Sequence, residues 1–258
     1  EARSAEINTC IACNQACLDH TFQGKLTSCL VNPRACHETE LLITPAPRSR
    51  QVAVVGGGPA GLAAAVTAAQ RGHWVTLYER QSELGGQFNY ARRIPGKEEF
   101  DETLRYFRVM LERYRVRVCL GVAPELQELR GFDEVVLATG VRPRALHLPG
   151  IEHPRVMSYP MAIMHPERVG QRVAIIGAGG IGFDVAELLT HAGQPALDAE
   201  AWCDEWGVDL SVVSPGGLRS PQRPRVPRRV TLLQRKTSKP GKGLGTTTGW
   251  VHRASLRH

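Results

Sequence analysis

The sequence predicts an α/β protein with two Rossmann-like nucleotide-binding folds, the second incomplete, preceded by a Cys-rich segment. Three observations carry this prediction. Two short apolar runs, Gln51–Val55 and 171–176, each lead straight into a Gly-x-Gly-x-x-Gly turn that opens a helix. The turns are Gly56, Gly58, Gly61 and Gly177, Gly179, Gly182. Ahead of both, Cys10, Cys13, Cys17 and Cys29 are spaced C-x2-C-x3-C-x11-C. The predicted segments are 1–45, 46–165 and 166–258.

The Cys-rich segment has little regular periodicity and no strong strand, so something other than an apolar core must fix it. Three thiols cluster and the fourth stands apart, which suits a [4Fe–4S] cluster held by four thiolates. Zinc is the competing ligand, because C-x2-C is also a zinc half-site. Cys36, His20 and His37 lie nearby and read as packing or hydrogen-bonding residues. Cys119, in the apolar run 116–120, reads as strand core, and Cys203 as structural.

In the first nucleotide fold, Pro59 and Ala60 start a helix that Gly72 stops. The glycines let the chain turn tightly and let a pyrophosphate approach the free N–H groups of the helix start. The next strand, 74–78, ends at Glu79, about twenty residues past the turn, where an acid meets ribose hydroxyls. Leu84-Gly85-Gly86-Gln87 after that strand, and Ala138-Thr139-Gly140 after the run 132–137, lean toward FAD, because FAD-binding flavoproteins with two dinucleotide folds commonly carry such stretches. Between them, 98–114 is an amphipathic helix with Phe100, Leu104, Phe107, Leu111 and Tyr114 on one stripe.

The second fold repeats the strand and the turn. Its second strand, 230–234, comes late, after an insertion over 190–229 that is rich in Pro and Gly and carries Trp202 and Trp206. A loop of that length serves as a lid, a domain contact or a mobile segment. The strand ends in Arg235-Lys236 where an acid would repel a 2′-phosphate, so NADPH is expected over NADH.

Composition sets the remaining bounds. The chain of 258 residues carries a formal charge of +7, and much of the excess falls in a Pro-broken stretch between Arg219 and Lys242. That stretch is a loop and no nucleic-acid motif accompanies it, so nucleic-acid binding is not expected. No apolar run approaches the ~18 residues of a membrane helix. Seven cysteines without a secretory leader favour metal or redox work and a cytoplasmic setting.

The chain resembles the bacterial NADPH-dependent 2,4-dienoyl-CoA reductase family from about Ile7 to the C-terminus. The resemblance rests on Cys10-Ile-Ala-Cys13-Asn-Gln-Ala-Cys17, the string 28–38 from Ser28-Cys29 to Cys36-His-Glu, Gly85-Gly86-Gln87-Phe88, the string 94–100 from Ile94-Pro95-Gly96-Lys97, and Gly241-Lys-Gly-Leu-Gly245 before Thr248-Gly249-Trp250. It implies that NADPH reduces FAD and that the cluster relays electrons to an FMN in an N-terminal β/α barrel. It also implies FAD contacts at Ala60, Glu79, Gln87, Lys97 and the backbone of Val122, NADP contacts at Arg235 and Lys236, and cluster ligation by Cys10, Cys13, Cys17 and Cys29. The barrel and the closing strands of both folds are not in this sequence. The chain is therefore expected to be the electron-transfer fragment of an enzyme, partnered by the missing barrel, with no catalytic residue of its own and no turnover of a dienoyl thioester. The alternatives are an amine dehydrogenase or glutamate synthase-like relative, or a non-catalytic remnant.

Overall fold

The computed structural model describes residues 3–191 and 197–257. It divides into two compact units, one from Glu1–Arg92 and Glu99–Ile151, the other from Arg93–Glu98 and Glu152–His258.

The first unit opens with the Cys-rich stretch, which holds a 3-10 turn at Ser4–Glu6 and a short helix α1 (Leu18–Phe22). A parallel sheet follows, built from β1 (Gln51–Val55), β2 (Trp74–Glu79), β3 (Arg117–Leu120) and β4 (Glu134–Leu137) in the order β3-β2-β1-β4. The central strands are β-branched and apolar because parallel strands are covered on both faces. Val52, Ala53, Val54, Val75 and Leu77 are buried accordingly. Two helices supply cover: α2 (Pro59–Gln70) through Leu62, Ala65 and Val66, and the longer amphipathic helix at Phe100–Arg113 through Leu104, Phe107, Met110 and Leu111. A short α3 (Phe88–Ala91) precedes that helix, which is α4, and α5 (Leu126–Leu129) follows β3. Burying side chains such as Leu62 and Leu77 contributes roughly 1.5–3 kcal/mol each. The outer strands are less covered: Leu137 of β4 is 72% exposed, and Cys119 of β3 is only half-buried. Expected strand core at Cys119 is thus a partly open sheet flank.

In the second unit, β5 (Arg172–Ile176) and β6 (Arg229–Leu233) pair in parallel, with Ile176 opposite Leu233. Helices α6 (Tyr159–Met164) and α7 (Gly180–Thr190) bury Ala162, Ile163, Phe183, Val185, Ala186 and Leu189. Arg228 ties the unit together by donating to the carbonyls of Pro166 (2.9 Å), Leu189 (3.3 Å) and Val169 (3.4 Å).

The insertion is not all loop. Its residues 192–196 lie outside the described residues, but beyond them runs α8 (Ala199–Trp206). The Asp198 carboxylate accepts from the N–H groups of Glu200 and Ala201, and Gly207 closes the helix at φ 70. These caps were present in the sequence, hidden among the surrounding prolines and glycines. Cys203 is buried on this helix, and Trp202 and Trp206 lie 6.3 Å apart. A last helix, α9 (Gly249–Ser255), ends the unit.

Candidate functional site

At the first glycine turn, β1 and β2 are in register to their ends, and the Gly56 N–H continues the ladder to the Tyr78 carbonyl at 2.8 Å. Gly56 has φ +114, and a Cβ there would stand 2.2 Å from the Ala138 carbonyl oxygen. A Cβ on Gly61 would stand 1.8 Å from the Gly56 oxygen, so only glycine lets α2 meet the strand this closely. The chain after β2 folds back on the turn: Gly85 N–H donates to the Gly57 carbonyl at 2.9 Å, and a Cβ on Gly86 would lie 3.0 Å from the Gly58 Cα. Thr139 follows Ala138 at the edge of the same turn, and Ala60, Gln87 and Thr139 are exposed there. The result is a bare backbone cradle at a helix N-terminus, which fits a dinucleotide phosphate.

Glu79 is buried and already committed. Its Oε2 accepts from the Gly57 N–H at 2.7 Å and its Oε1 from the Gln81 N–H at 2.8 Å. Its carbonyl accepts from the Val122 N–H at 2.9 Å. The acid at the end of β2 therefore first fastens the glycine turn to the strand end. The Val122 amide is spent on the same strand. Deeper in β2, Tyr78 donates its hydroxyl to Glu128 at 2.9 Å, and burial followed by that bond pushes its pKa up to about 12.

The second turn repeats the geometry. Gly177 N–H donates to the Leu233 carbonyl at 2.8 Å, Gly177 has φ +123, and a Cβ on Gly182 would sit 2.0 Å from the Gly177 oxygen. Gly179 is the N-cap of α7. Register places the end of β6 beside this turn, with Arg235 and Lys236 exposed just beyond it. The Gln234 amide fixes that corner by donating to the carbonyls of Lys236 (2.9 Å) and Ser238. Gly241 N–H reaches the Ala178 carbonyl at 3.2 Å, so the following loop also packs on the turn.

Lys97 belongs to the second unit, where its ammonium donates to Asp184 Oδ1 at 2.6 Å. One turn on, the buried Glu187 accepts from His252 Nδ1 of α9 at 3.1 Å. That bond is the main cause that raises the His252 pKa; burial and Lys97 oppose it, while the charges of Glu187 and Asp184 add to it. Asp184, Glu187 and His252 bring one ligand atom each within 4.8 Å of one another, but Lys97 already neutralises Asp184. Sequence reading missed this group. Its signal was two acids three apart, on one face of an otherwise apolar helix start.

The cysteine stretch brings Cys10, Cys17 and Cys29 near enough to act on the Cys13 thiol. Burial raises the Cys13 thiol pKa most, and Cys17, Cys29 and Cys10 raise it further through their charge, while the Gln15 N–H bond lowers it. The Ala12 N–H donates to Cys10 Sγ at 3.3 Å. Ala12 (φ 52) and Asn14 (φ 55) take left-handed backbone, which bends the chain sharply among the first three cysteines. Arg34 Nε, in the same segment, is buried without a protein hydrogen-bond partner. Four cysteine sulfurs, the Ala12 amide donor and the Arg34 Nε are groups that could hold an iron–sulfur cluster once the thiols lose their protons. His20 Nδ1 instead donates to the Leu26 carbonyl (2.9 Å) and His37 bonds Glu40 (3.1 Å). Cys36 is exposed.

A family model described as pyridine nucleotide-disulphide oxidoreductase matches residues 50–238. The metal reductase of Desulforamulus reducens is 35% identical over 76% of this chain and 30% of its own length. The NADH oxidase of Thermoanaerobacter brockii is 35% identical over 83% of this chain and 34% of its own. The structure of a 2-naphthoyl-CoA reductase in complex with 2-naphthoyl-CoA superposes with a TM-score of 0.80 at 25% identity, covering 99% of this chain and 34% of that one. The chain thus spans about a third of the length of these relatives.

Proposed function

Because the chain belongs to the pyridine nucleotide-disulphide oxidoreductase family, we propose that it is the segment of a longer NADPH-dependent enzyme that carries electrons toward a conjugated acyl thioester of the 2,4-dienoyl-CoA type. Family membership makes it a flavoprotein oxidoreductase domain of the FAD- and NAD(P)H-binding kind. In this reading the two glycine turns would hold FAD and NADPH, which would supply hydride chemistry, and Cys10, Cys13, Cys17 and Cys29 would hold a [4Fe–4S] cluster, which would supply one-electron transfer toward an FMN in a proposed barrel.

The chain's own residues have defined tasks in this reading. Gly56, Gly58, Ala60 and Gly61 present backbone to the FAD pyrophosphate, with Gly86 and Gln87 closing one wall, Thr139 another, and Glu79 fixing the turn. Lys97 and the Val122 backbone are further proposed FAD contacts. Gly177, Gly179 and Gly182 do the same for the coenzyme, and Arg235 and Lys236 grip its 2′-phosphate. Cys10, Cys13, Cys17 and Cys29 hold the cluster. The proposed segments are 1–45 for the cluster, 46–165 for FAD and 166–258 for NADP, in a cytoplasmic enzyme. Among the described residues no helix is long and apolar enough to cross a membrane.

The observation that carries the proposal is the bare backbone cradle of the first glycine turn, in the same unit as Cys10, Cys13, Cys17 and Cys29. The acyl-thioester choice draws on the 2-naphthoyl-CoA reductase, whose bound ligand is such a thioester. The test is anaerobic loading of the full chain with FAD, iron and sulfide, followed by its visible spectrum. Flavin bands over a broad iron–sulfur absorption are expected, bleached faster by NADPH than by NADH. Tight zinc retention without iron–sulfur absorption, or no retained flavin, would overturn the reading.

A further inference from the structure

We propose that Arg105 of α4 is a positioning residue for the cysteine site: it clamps the run into Cys10 onto the helix and keeps that site closed. The 3-10 turn Ser4–Glu6 uses the carbonyls of Arg3 and Ser4 internally, through Glu6 N–H (3.0 Å) and Ile7 N–H (3.1 Å). The next carbonyls need outside donors, as at any helix end. Arg105 supplies them. Its Nη1 donates to the Ala5 carbonyl and its Nη2 to the Ile7 carbonyl at 2.8 Å, while Nε is held by Glu102 at 2.8 Å. Glu102 also receives the Thr9 hydroxyl at 3.4 Å, and Arg113 pairs with Glu6. Residues 5, 6, 7 and 9 are therefore all fastened to one face of α4, and the next residue is Cys10.

The opposite face of α4 is locked. Leu104, Phe107 and Leu111 sit in the core that also covers β1 and β2. The clamp thus transmits the place of the FAD-binding sheet to the start of the cysteine stretch, which has little apolar core of its own: among the described residues there, only Ile11 and Ala16 are buried apolar ones. A guanidinium fork spans two carbonyls that a single ammonium does not.

This inference rests on the reading of the four cysteines as cluster ligands, and its test separates the two. Hydrogen exchange over residues 7–17 is measured in the full chain for wild type, Arg105→Ala, Arg105→Lys and the exposed neighbour Arg108→Ala. Release of iron to a chelator is followed in the same proteins after loading. Loss of two charge-assisted bonds should speed exchange and iron release by about tenfold or more in Arg105→Ala. Arg105→Lys should fall between, Arg108→Ala should match wild type, and retained FAD should be unchanged. Wild-type exchange in Arg105→Ala overturns the clamp. So does faster exchange throughout the first unit, which would make Arg105 a general stability residue. Failure of wild type to take up iron and sulfide refutes the cluster reading, and the exchange comparison then still decides the clamp.

Discussion

Glu79 accepts two backbone N–H bonds in a buried position, so truncation leaves both donors without partners. Each such group costs roughly 1–3 kcal/mol. Glu79→Ala should lower the urea midpoint of the FAD-free chain clearly, and Glu79→Gln, which keeps an acceptor, should lower it less. Equal midpoints would show that the turn does not depend on this acid. His252 gives a pH signature. Its folded pKa is raised, first by the Glu187 bond, above the ordinary value of 6.5. Folding therefore favours the protonated ring, and that stabilisation is full below the unfolded pKa and is lost as pH rises through the folded one. Melting temperature should fall as pH rises from the ordinary histidine value of 6.5 through the raised folded pKa in wild type, and fall less in His252→Gln. At the end of β6, replacing Arg235 and Lys236 with glutamine should weaken NADPH by about tenfold or more and leave NADH nearly unchanged. Titration of both coenzymes checks this, and equal losses would remove the 2′-phosphate assignment.

At the scale of elements, the two glycine turns behave as one device used twice. The third glycine of each approaches the first so closely that a methyl group would collide with its carbonyl oxygen, at 1.8 Å in one turn and 2.0 Å in the other. Backbone cannot yield as a side-chain tip can, so Gly61→Ala and Gly182→Ala should each cost about 1–3 kcal/mol or more. Measured apart by fluorescence or exchange, Gly61→Ala should loosen α2 and Gly182→Ala should loosen α7. Helix α8 stands on its caps. Asp198→Ala should cost about 1 kcal/mol and speed exchange of 199–206 in preference to other helices.

At the scale of the molecule, the units differ in what their sheets bury. Among the described residues, the first has four strands with a covered centre, whereas the sheet of the second pairs only β5 and β6 and leaves Ile176 62% and Leu233 47% exposed. A two-stranded ladder buries too little apolar surface to offset the ordering of its backbone. Hydrogen exchange in the full chain should therefore show residues 152–257 opening before the core of β1 and β2. Uniform protection across both units would contradict this.

The sequence by itself determined the repeated strand–turn–helix units, because apolar runs and glycine spacing are local signals that backbone sterics impose wherever they occur. It placed Cys10, Cys13 and Cys17 within one short stretch of chain, which is a fact of spacing alone. Only the tertiary structure decided that Glu79 is spent on the Gly57 amide, that Lys97 pairs with Asp184, that Glu187 holds His252, and that Arg105 clasps Ala5 and Ile7. Those partners are separated by 22, 87, 65 and about 100 positions. No local periodicity links residues so far apart. They meet because burial brings their elements together, and a buried charge must then find a partner or lose its hydration without compensation.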